Sequence, residues 1–204
     1  MDKPNALQLG IACLESQQAG QHMAFTVRRD LVRWPDGAVR PYSYLEGPPV
    51  VFIVPVTHDG QIVLIREFRY TVDAWVWEVP AGGAHDFHGD DLAELARQEL
   101  AEEVGGTAAA IVEIGQAYYG TGLTSKILHI FLATGVEIGA SRPEATELIE
   151  VHPTSLQRAL EMARSGEIAS GLSAYALLRC EPVLNAWLRT RTLPQGATLP
   201  KGKA

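Results

Sequence analysis

Three glutamates, Glu99, Glu102 and Glu103, stand at positions i, i+3 and i+4 of one segment. In an α-helix, which turns by 100° per residue, this spacing places the three carboxylates within an arc of about 100° on one face. Like charges at this spacing destabilise a helix by about 0.2–0.5 kcal/mol per pair, and a divalent cation would offset the repulsion. Carboxylate oxygens suit Mg²⁺ or Mn²⁺. For such a triplet taken alone, a solvated acidic helix face is the alternative.

A glycine-rich loop leads into this segment, with glycines at positions 82, 83 and 89. Backbone without a Cβ lets a phosphate approach closely, and the N-terminus of a helix favours anions. We therefore expect Gly82 and Gly83 to contact a phosphate-bearing substrate. Strong helix formers predict the helix over 91–104, with Asp90 or Asp91 as its N-cap and Gly105 at its end. The sequence therefore predicts a metal site next to a phosphate site.

The remaining elements predict an α/β fold in which a mixed sheet carries helices on both faces. Residues 1–20 carry little pattern and are read as a weakly specified arm. Two antiparallel strands follow around Pro35-Asp36-Gly37, and they complete an N-terminal unit over 1–47. The main domain is predicted over 48–190 and a mobile tail over 191–204. Further strands and helices are predicted at 50–54, 61–66, 75–79, 110–116, 128–134 and 148–151 (strands) and at 154–166 and 173–188 (helices).

Two details of the late helices follow from single residues. Thr154 and Gln157 have the spacing of a capping box for the first of them. Pro182 is expected to kink or interrupt the second, because proline lacks the backbone N–H that a helix interior needs.

Composition excludes several classes of protein. The 204 residues include 17 Lys+Arg and 24 Asp+Glu, a net charge of −7, and no long basic cluster, which argues against nucleic acid or an anionic membrane as a partner. The longest apolar stretch, 50–56, is far shorter than the roughly 20 residues of a membrane span. The first residues lack the apolar core of a signal peptide. Cys13 and Cys180 lie far apart and match no metal or redox spacing, so we expect a reducing cytoplasm.

At this point the motifs resemble a known family. The stretch Glu99-Leu100-Ala101-Glu102-Glu103-Val104-Gly105 is similar to the last seven places of the Nudix hydrolase signature. Trp77-Glu78-Val79-Pro80-Ala81-Gly82 resembles the approach to that signature in the ADP-ribose pyrophosphatase branch. The resemblance extends over roughly 25–180. It implies a Nudix-type α/β/α sandwich with a small N-terminal antiparallel β unit, whose strands help to form a homodimer.

The resemblance also implies an activity and its metal. A Nudix hydrolase of this branch would cleave the pyrophosphate of a nucleoside diphosphate sugar with water and Mg²⁺, and Mn²⁺ is a possible substitute. We expect ADP-ribose to give AMP and ribose 5-phosphate. By analogy with the family, Glu99 and Glu103 are the principal metal ligands, Glu102 is a ligand or orients the water, and the backbone carbonyl of Ala81 completes the set.

Two further roles are assigned by the resemblance. A glutamate from the late loop is expected to act as general base, and Glu147 is our prediction with Glu144 as the alternative. Arg69 would pair with a terminal phosphate through its planar guanidinium. A surface ion pair of Arg69 with Glu67 or Asp73 is the alternative.

The sequence departs from the family pattern at several points. The loop from Gly82 to Gly89 is two residues longer than usual, and Asp90 stands where the family has glutamate. Gln98 replaces the arginine that normally braces the glutamates, and Arg97 lies 100° further round the helix. Lys126 occupies a position where many relatives have an acidic residue. None of these changes removes the three helix carboxylates.

Other readings remain open. Another substrate, such as GDP-mannose, a dinucleoside polyphosphate or coenzyme A, is the runner-up, because base and sugar pockets are built from dispersed residues. A binding module that senses a nucleotide sugar without hydrolysing it is a second class. For four aromatic residues we expect core packing rather than base stacking: Trp75, Trp77, Tyr118 and Tyr119. The histidines of the long loop, His85 and His88, are expected to face solvent rather than bind zinc.

Overall fold

The computed structural model describes residues 3–192. Most of the predicted tail, 193–204, lies outside the described residues. The described chain forms two units, one comprising residues up to Pro49 together with Tyr118–Ile127 and the other comprising Val50–Ala117 and the chain from Leu128 onward. None of the described helices is both long enough and apolar enough to cross a membrane.

The first unit contains a short helix, α1 (Pro4–Gln8), and three strands, β1 (Ala12–His22), β2 (Phe25–Arg33) and β3 (Val39–Glu46). The strands form an antiparallel sheet in the order β1-β2-β3. The predicted hairpin between β2 and β3 is confirmed, and Gly37 adopts the positive φ of +79° that its turn requires. The interpretation of 1–20 as a weakly specified arm was wrong for the described residues, which contain α1 and most of β1. Strand β1 is polar and exposed, so no apolar alternation marked it, and backbone pairing with β2 defines it.

The second unit is built on a seven-stranded sheet. Its strands are β4 (Val50–Thr57), β5 (Gln61–Arg69), β6 (Ala74–Glu78), β7 (Ala81–Gly83), β8 (Ala110–Tyr118), β9 (Ile127–Val136) and β10 (Ile149–Ser155). The order is β10-β5-β4-β9-β8, with β6 paired to β5 and β7 paired to β4. The sheet is mixed, because β4 and β9 are parallel whereas β4 is antiparallel to β5 and β7. The prediction that 81–83 lie in a loop was wrong, because these residues pair with β4. The pairing uses backbone hydrogen bonds, so it left no side-chain pattern in the sequence.

Helices cover both faces of this sheet, so the predicted α/β/α sandwich is confirmed. Helix α2 (Leu92–Val104) packs on one face, and α3 (Leu156–Ser165) and α4 (Gly171–Thr190) pack on the other. Strand β4 is apolar along its length because it contributes to both cores: Val51 and Ile53 face α2, while Phe52 and Val54 face the opposite helices.

Two details of the helices differ from the sequence reading. Ser155, not Thr154, caps α3, and its hydroxyl oxygen accepts a hydrogen bond from the N–H of Arg158. Helix α4 runs without interruption through Pro182. Buried residues on both sides of the proline, Cys180 and Val183, hold this part of α4 against the sheet.

Candidate active site

Helix α2 positions the three glutamates. Asp91 caps its start by accepting a hydrogen bond from the N–H of Ala93 at 2.9 Å, so the cap is Asp91 and not Asp90. Gly105 ends the helix with a φ of +65°. The buried side of α2 fixes its rotation on the sheet, so that Glu103 is buried, Glu99 is partly buried and Glu102 is exposed. The buried side consists of Leu95, Ala96, Leu100 and Val104.

Glu103 is held against the backbone of β7. The N–H of Ala81 donates a hydrogen bond to Oε2 of Glu103 at 3.1 Å, and only 2% of the Glu103 surface is exposed. Burial raises the pKa of Glu103 well above its ordinary value, and the charges of Glu99, Glu147 and Glu67 raise it further. Without a neutralising cation, the site therefore disfavours the charged form of Glu103.

Glu99 lies directly over the next residue of the same strand. A Cβ at position 82 would overlap both carboxylate oxygens of Glu99, so any other residue there would displace this carboxylate. Burial raises the pKa of Glu99 to about 7, with further contributions from the charges of Glu102, Glu147 and Glu144. Strand β7 thus meets Glu103 at Ala81 and Glu99 at Gly82, and it brings the two carboxylates to one short stretch of backbone.

The donor chemistry of this stretch fits a hard divalent cation. Glu99, Glu102 and Glu103 offer only oxygen ligands, and among residues 3–192 their one hydrogen-bond donor is the N–H of Ala81. Like-charge repulsion and burial both raise the pKa of Glu99 and Glu103, and a cation would relieve both effects. Within the described range, no three acidic, histidine or cysteine side chains are arranged to hold a metal ion by themselves.

The late loop supplies a fourth carboxylate. Oε2 of Glu147 accepts a hydrogen bond from the N–H of Glu144 at 2.9 Å, and the N–H of Glu147 donates to the carbonyl of Glu144 at 3.0 Å. The charge of Glu147 raises the pKa of Glu67, Glu99 and Glu103, whereas Glu144 contributes only to that of Glu99. Glu147 is half-buried and Glu144 is exposed. Of the two candidates for the base, Glu147 is the one whose charge acts on all three of these carboxyls.

Arg69 is engaged by two carboxylates on neighbouring strands. Its Nε and Nη2 donate to Glu78 at 3.2 and 2.6 Å, and its Nη1 lies 2.8 Å from Oε1 of Glu67. The sequence alternative of an ion pair with Glu67 is thus present, while Asp73 lies in a left-handed turn and is not a partner. Sequence reasoning missed Glu78. The register of β5 and β6, which pairs Glu67 with Val76 and Ile65 with Glu78, places both glutamates on one face.

The residues that depart from the family pattern lie away from the cluster or take no part in it. Arg97 does not replace the missing arginine, because it contacts Glu94 and the carbonyl of Ala93. Gln98 is exposed on α2. Lys126 belongs to the first unit, where its side chain packs against Gly47.

The expectation of core packing was wrong for three of the four aromatic residues. Trp77 packs against the core as expected, but Trp75, Tyr118 and Tyr119 are exposed by 39%, 55% and 43%. Trp75 lies on β6, which among the described strands pairs only with β5. The other edge of β6 therefore has no neighbouring strand of the described chain to bury Trp75. In the long loop, His85 and His88 are both exposed, as expected, and His85 contacts Asp86 at 3.2 Å.

Comparison with known proteins identifies the family. A family model described as NUDIX domain matches residues 47–169. The chain is 30% identical over 148 residues to the ADP-ribose pyrophosphatase of Bacillus subtilis (strain 168), which covers 72% of this chain and 79% of that protein. It is also 30% identical over 176 residues to the ADP-ribose pyrophosphatase of Mycobacterium tuberculosis, covering 83% of this chain and 82% of that one.

A solved structure shares the fold. The crystal structure of an ADP compounds hydrolase matches with a TM-score of 0.72 over 92% of this chain and 97% of that chain, at 20% sequence identity. The family match and the two ADP-ribose pyrophosphatases assign the sequence to a family. The chain belongs to the Nudix family, and it is a Nudix hydrolase of the ADP-ribose pyrophosphatase-like branch.

Proposed function

We propose that the protein hydrolyses the pyrophosphate bond of a nucleoside diphosphate sugar in a Mg²⁺-dependent reaction, and that ADP-ribose is converted to AMP and ribose 5-phosphate. The observation that carries the proposal is the meeting of Glu99 and Glu103 with the backbone of Ala81 and Gly82. The relatives named ADP-ribose pyrophosphatase support the choice of substrate.

The metal would be held by oxygen donors of α2 and β7. Glu99 and Glu103 are the principal ligands in this proposal, Glu102 is a third ligand or orients the water, and the carbonyl of Ala81 adds a backbone donor. When bound, Mg²⁺ supplies neutralisation of phosphate charge and activation of water. Mn²⁺, with similar ligand preferences, is expected to substitute for it.

The general base in this proposal is Glu147. Its carboxylate accepts the proton of the attacking water while the water oxygen joins one phosphorus and the bridging P–O bond breaks. Two hydrogen bonds to Glu144 order the turn that carries Glu147. The effect of its charge on the pKa of Glu99 and of Glu103 supports this choice of base.

Phosphate binding is assigned to Arg69, Gly82 and Gly83. Arg69 keeps N–H groups on both terminal nitrogens that Glu67 and Glu78 do not occupy, and its side chain is 38% exposed. Gly82 and Gly83 present backbone without side chains at the start of the glycine-rich loop. These residues would orient the pyrophosphate for in-line attack.

The proposal includes two further properties, the oligomeric state and the location. We expect a homodimer in which the N-terminal strands take part, by analogy with the branch. We also expect a cytoplasmic protein, because both cysteines, exposed Cys13 and buried Cys180, are free thiols.

A substrate panel tests the proposal. Release of phosphate after coupling to a phosphatase is measured with ADP-ribose, GDP-mannose, UDP-glucose, diadenosine polyphosphates and coenzyme A, in Mg²⁺ and in EDTA. Turnover of ADP-ribose above the other compounds, lost in EDTA, is the expected result. Preference for another compound would change the substrate, and saturable binding without turnover would identify a binding module.

A further inference from the structure

Glu67 is a buried acid that the proposed reaction does not use. The residue is 4% exposed, and within residues 3–192 its Oε2 has no hydrogen-bond partner. An orphaned buried carboxylate oxygen costs about 1–3 kcal/mol or more. A position inside the sheet that was optimised for stability alone would hold an apolar residue.

The surroundings of Glu67 add to this cost. The negatively charged groups that face it are Glu78 on β6, Glu147 before β10 and Glu103 on α2. Among the described residues, Arg69 on the same strand is the one cation that offsets them. Glu67 is therefore tied to a single partner, and that partner is the residue assigned to the substrate phosphate.

The geometry around Arg69 explains the arrangement. Glu78 accepts hydrogen bonds from Nε and Nη2 along one edge of the guanidinium. Oε1 of Glu67 lies 2.8 Å from the remaining nitrogen, Nη1. Two carboxylates from two strands thus fix both the plane and the rotation of a long, partly exposed side chain. The directions of the remaining N–H groups on the two terminal nitrogens are therefore fixed as well.

We propose that Glu67 is a positioning residue, which holds Nη1 of Arg69 so that the guanidinium presents a fixed edge to a phosphate group of the substrate. This inference rests on the proposed function, because it requires Arg69 to bind that phosphate. Glu67 acts through Arg69 and touches no reacting atom.

The test measures affinity separately from turnover. The probe is the α,β-methylene analogue of ADP-ribose, in which a carbon bridge prevents hydrolysis, and binding is measured by calorimetry in Mg²⁺. The proteins are the wild type, Glu67→Gln, Glu67→Leu, Arg69→Gln and the double variant Glu67→Leu/Arg69→Gln. Glu150→Leu is the matched control, because it removes a carboxylate that pairs with Arg66 on the opposite face of the same sheet.

We expect Glu67→Leu and Arg69→Gln each to weaken binding about tenfold, with the double variant no weaker than Arg69→Gln alone. Glu67→Gln keeps an oxygen against Nη1 and should bind within about twofold of the wild type. Melting temperatures establish that each variant is folded, and Glu67→Met replaces Glu67→Leu if the latter does not fold.

Three results would overturn the inference: wild-type affinity in Glu67→Leu, an equal loss in Glu67→Gln, or a further tenfold loss when Glu67→Leu is added to Arg69→Gln. Hydrolysis of ADP-ribose is measured on the same samples. A wild type that binds the analogue but does not turn over ADP-ribose would contradict the proposed function and leave the comparison at Glu67 intact. A wild type that does not bind the analogue would contradict both.

Discussion

The carboxylate of Glu99 occupies the space in which any residue other than glycine at position 82 would place its Cβ. The Glu99 carboxylate can therefore lie this close to the backbone of a short strand because position 82 has no side chain. The hydrogen bond from Ala81 to Glu103 fixes the neighbouring contact of the same strand. The two contacts define how α2 meets β7.

Replacing Gly82 by alanine should displace the Glu99 carboxylate. Since a misplacement of about 1 Å in a reacting site can cost about a hundredfold in rate, we expect kcat to fall by about that factor while the fold is kept. Gly115→Ala is the matched control, because a Cβ there would lie 3.6 Å from Arg179, which is ordinary contact. Steady-state kinetics of both variants make the comparison, and a normal kcat for Gly82→Ala would refute the role of this contact.

Replacing Glu103 by glutamine should separate stability from activity. The variant removes a buried charge but keeps an oxygen for the N–H of Ala81, so its melting temperature without metal should exceed that of the wild type. Added Mg²⁺ should raise the melting temperature of the wild type and not of the variant. Turnover should fall by about a hundredfold or more. Glu94→Gln, an exposed change on the same helix, serves as control, and an unchanged rate in Glu103→Gln would disprove its role as a ligand.

Glu147 and Glu144 can be told apart by kinetics. Loss of a general base typically costs about 10²–10⁴-fold, so Glu147→Gln should lower kcat by that order while the Mg²⁺ concentration needed for half-maximal rate changes little. Glu144→Gln should lower kcat far less, since it removes no charge adjacent to Glu103. The reverse order of effects would move the assignment to Glu144.

The buried Glu67 predicts how stability depends on pH in the metal-free protein. Burial raises its pKa to about 7 from an ordinary value of 4.5, so the folded state binds more protons than the unfolded state between these values. This group therefore lowers the free energy of unfolding as pH rises from about 4.5 to about 7. Carboxyls with a lowered pKa, those of Asp30, Asp36 and Asp59, are ionised in both states above pH 5 and do not contribute there.

Thermal melts in EDTA at pH 5 and pH 8 check this dependence. The wild type should melt several degrees lower at pH 8, and Glu67→Gln should lose part of the difference. Equal slopes in the two proteins would show that Glu67 is not the titrating group.

The part of the site that lies on one helix could be predicted from sequence, because the spacing of Glu99, Glu102 and Glu103 and the end of α2 at Gly105 are local properties. Sequence reasoning could not predict which of the three is buried, since that depends on how α2 rotates on the sheet. The pairing of Arg69 with Glu78 was also missed, because it follows from the register of two strands. Strand β1 escaped prediction for a similar reason, since its polar residues carry no alternation and only backbone pairing reveals it.

The decisive experiment is chromatographic identification of the products of ADP-ribose with the wild type and with Glu103→Gln, in Mg²⁺ and after chelation by EDTA. The proposed function requires equal amounts of AMP and ribose 5-phosphate from the wild type in Mg²⁺. It requires almost none in EDTA or from the variant. Equal product formation with and without EDTA, or by both proteins in Mg²⁺, would contradict a reaction that depends on the carboxylates of α2.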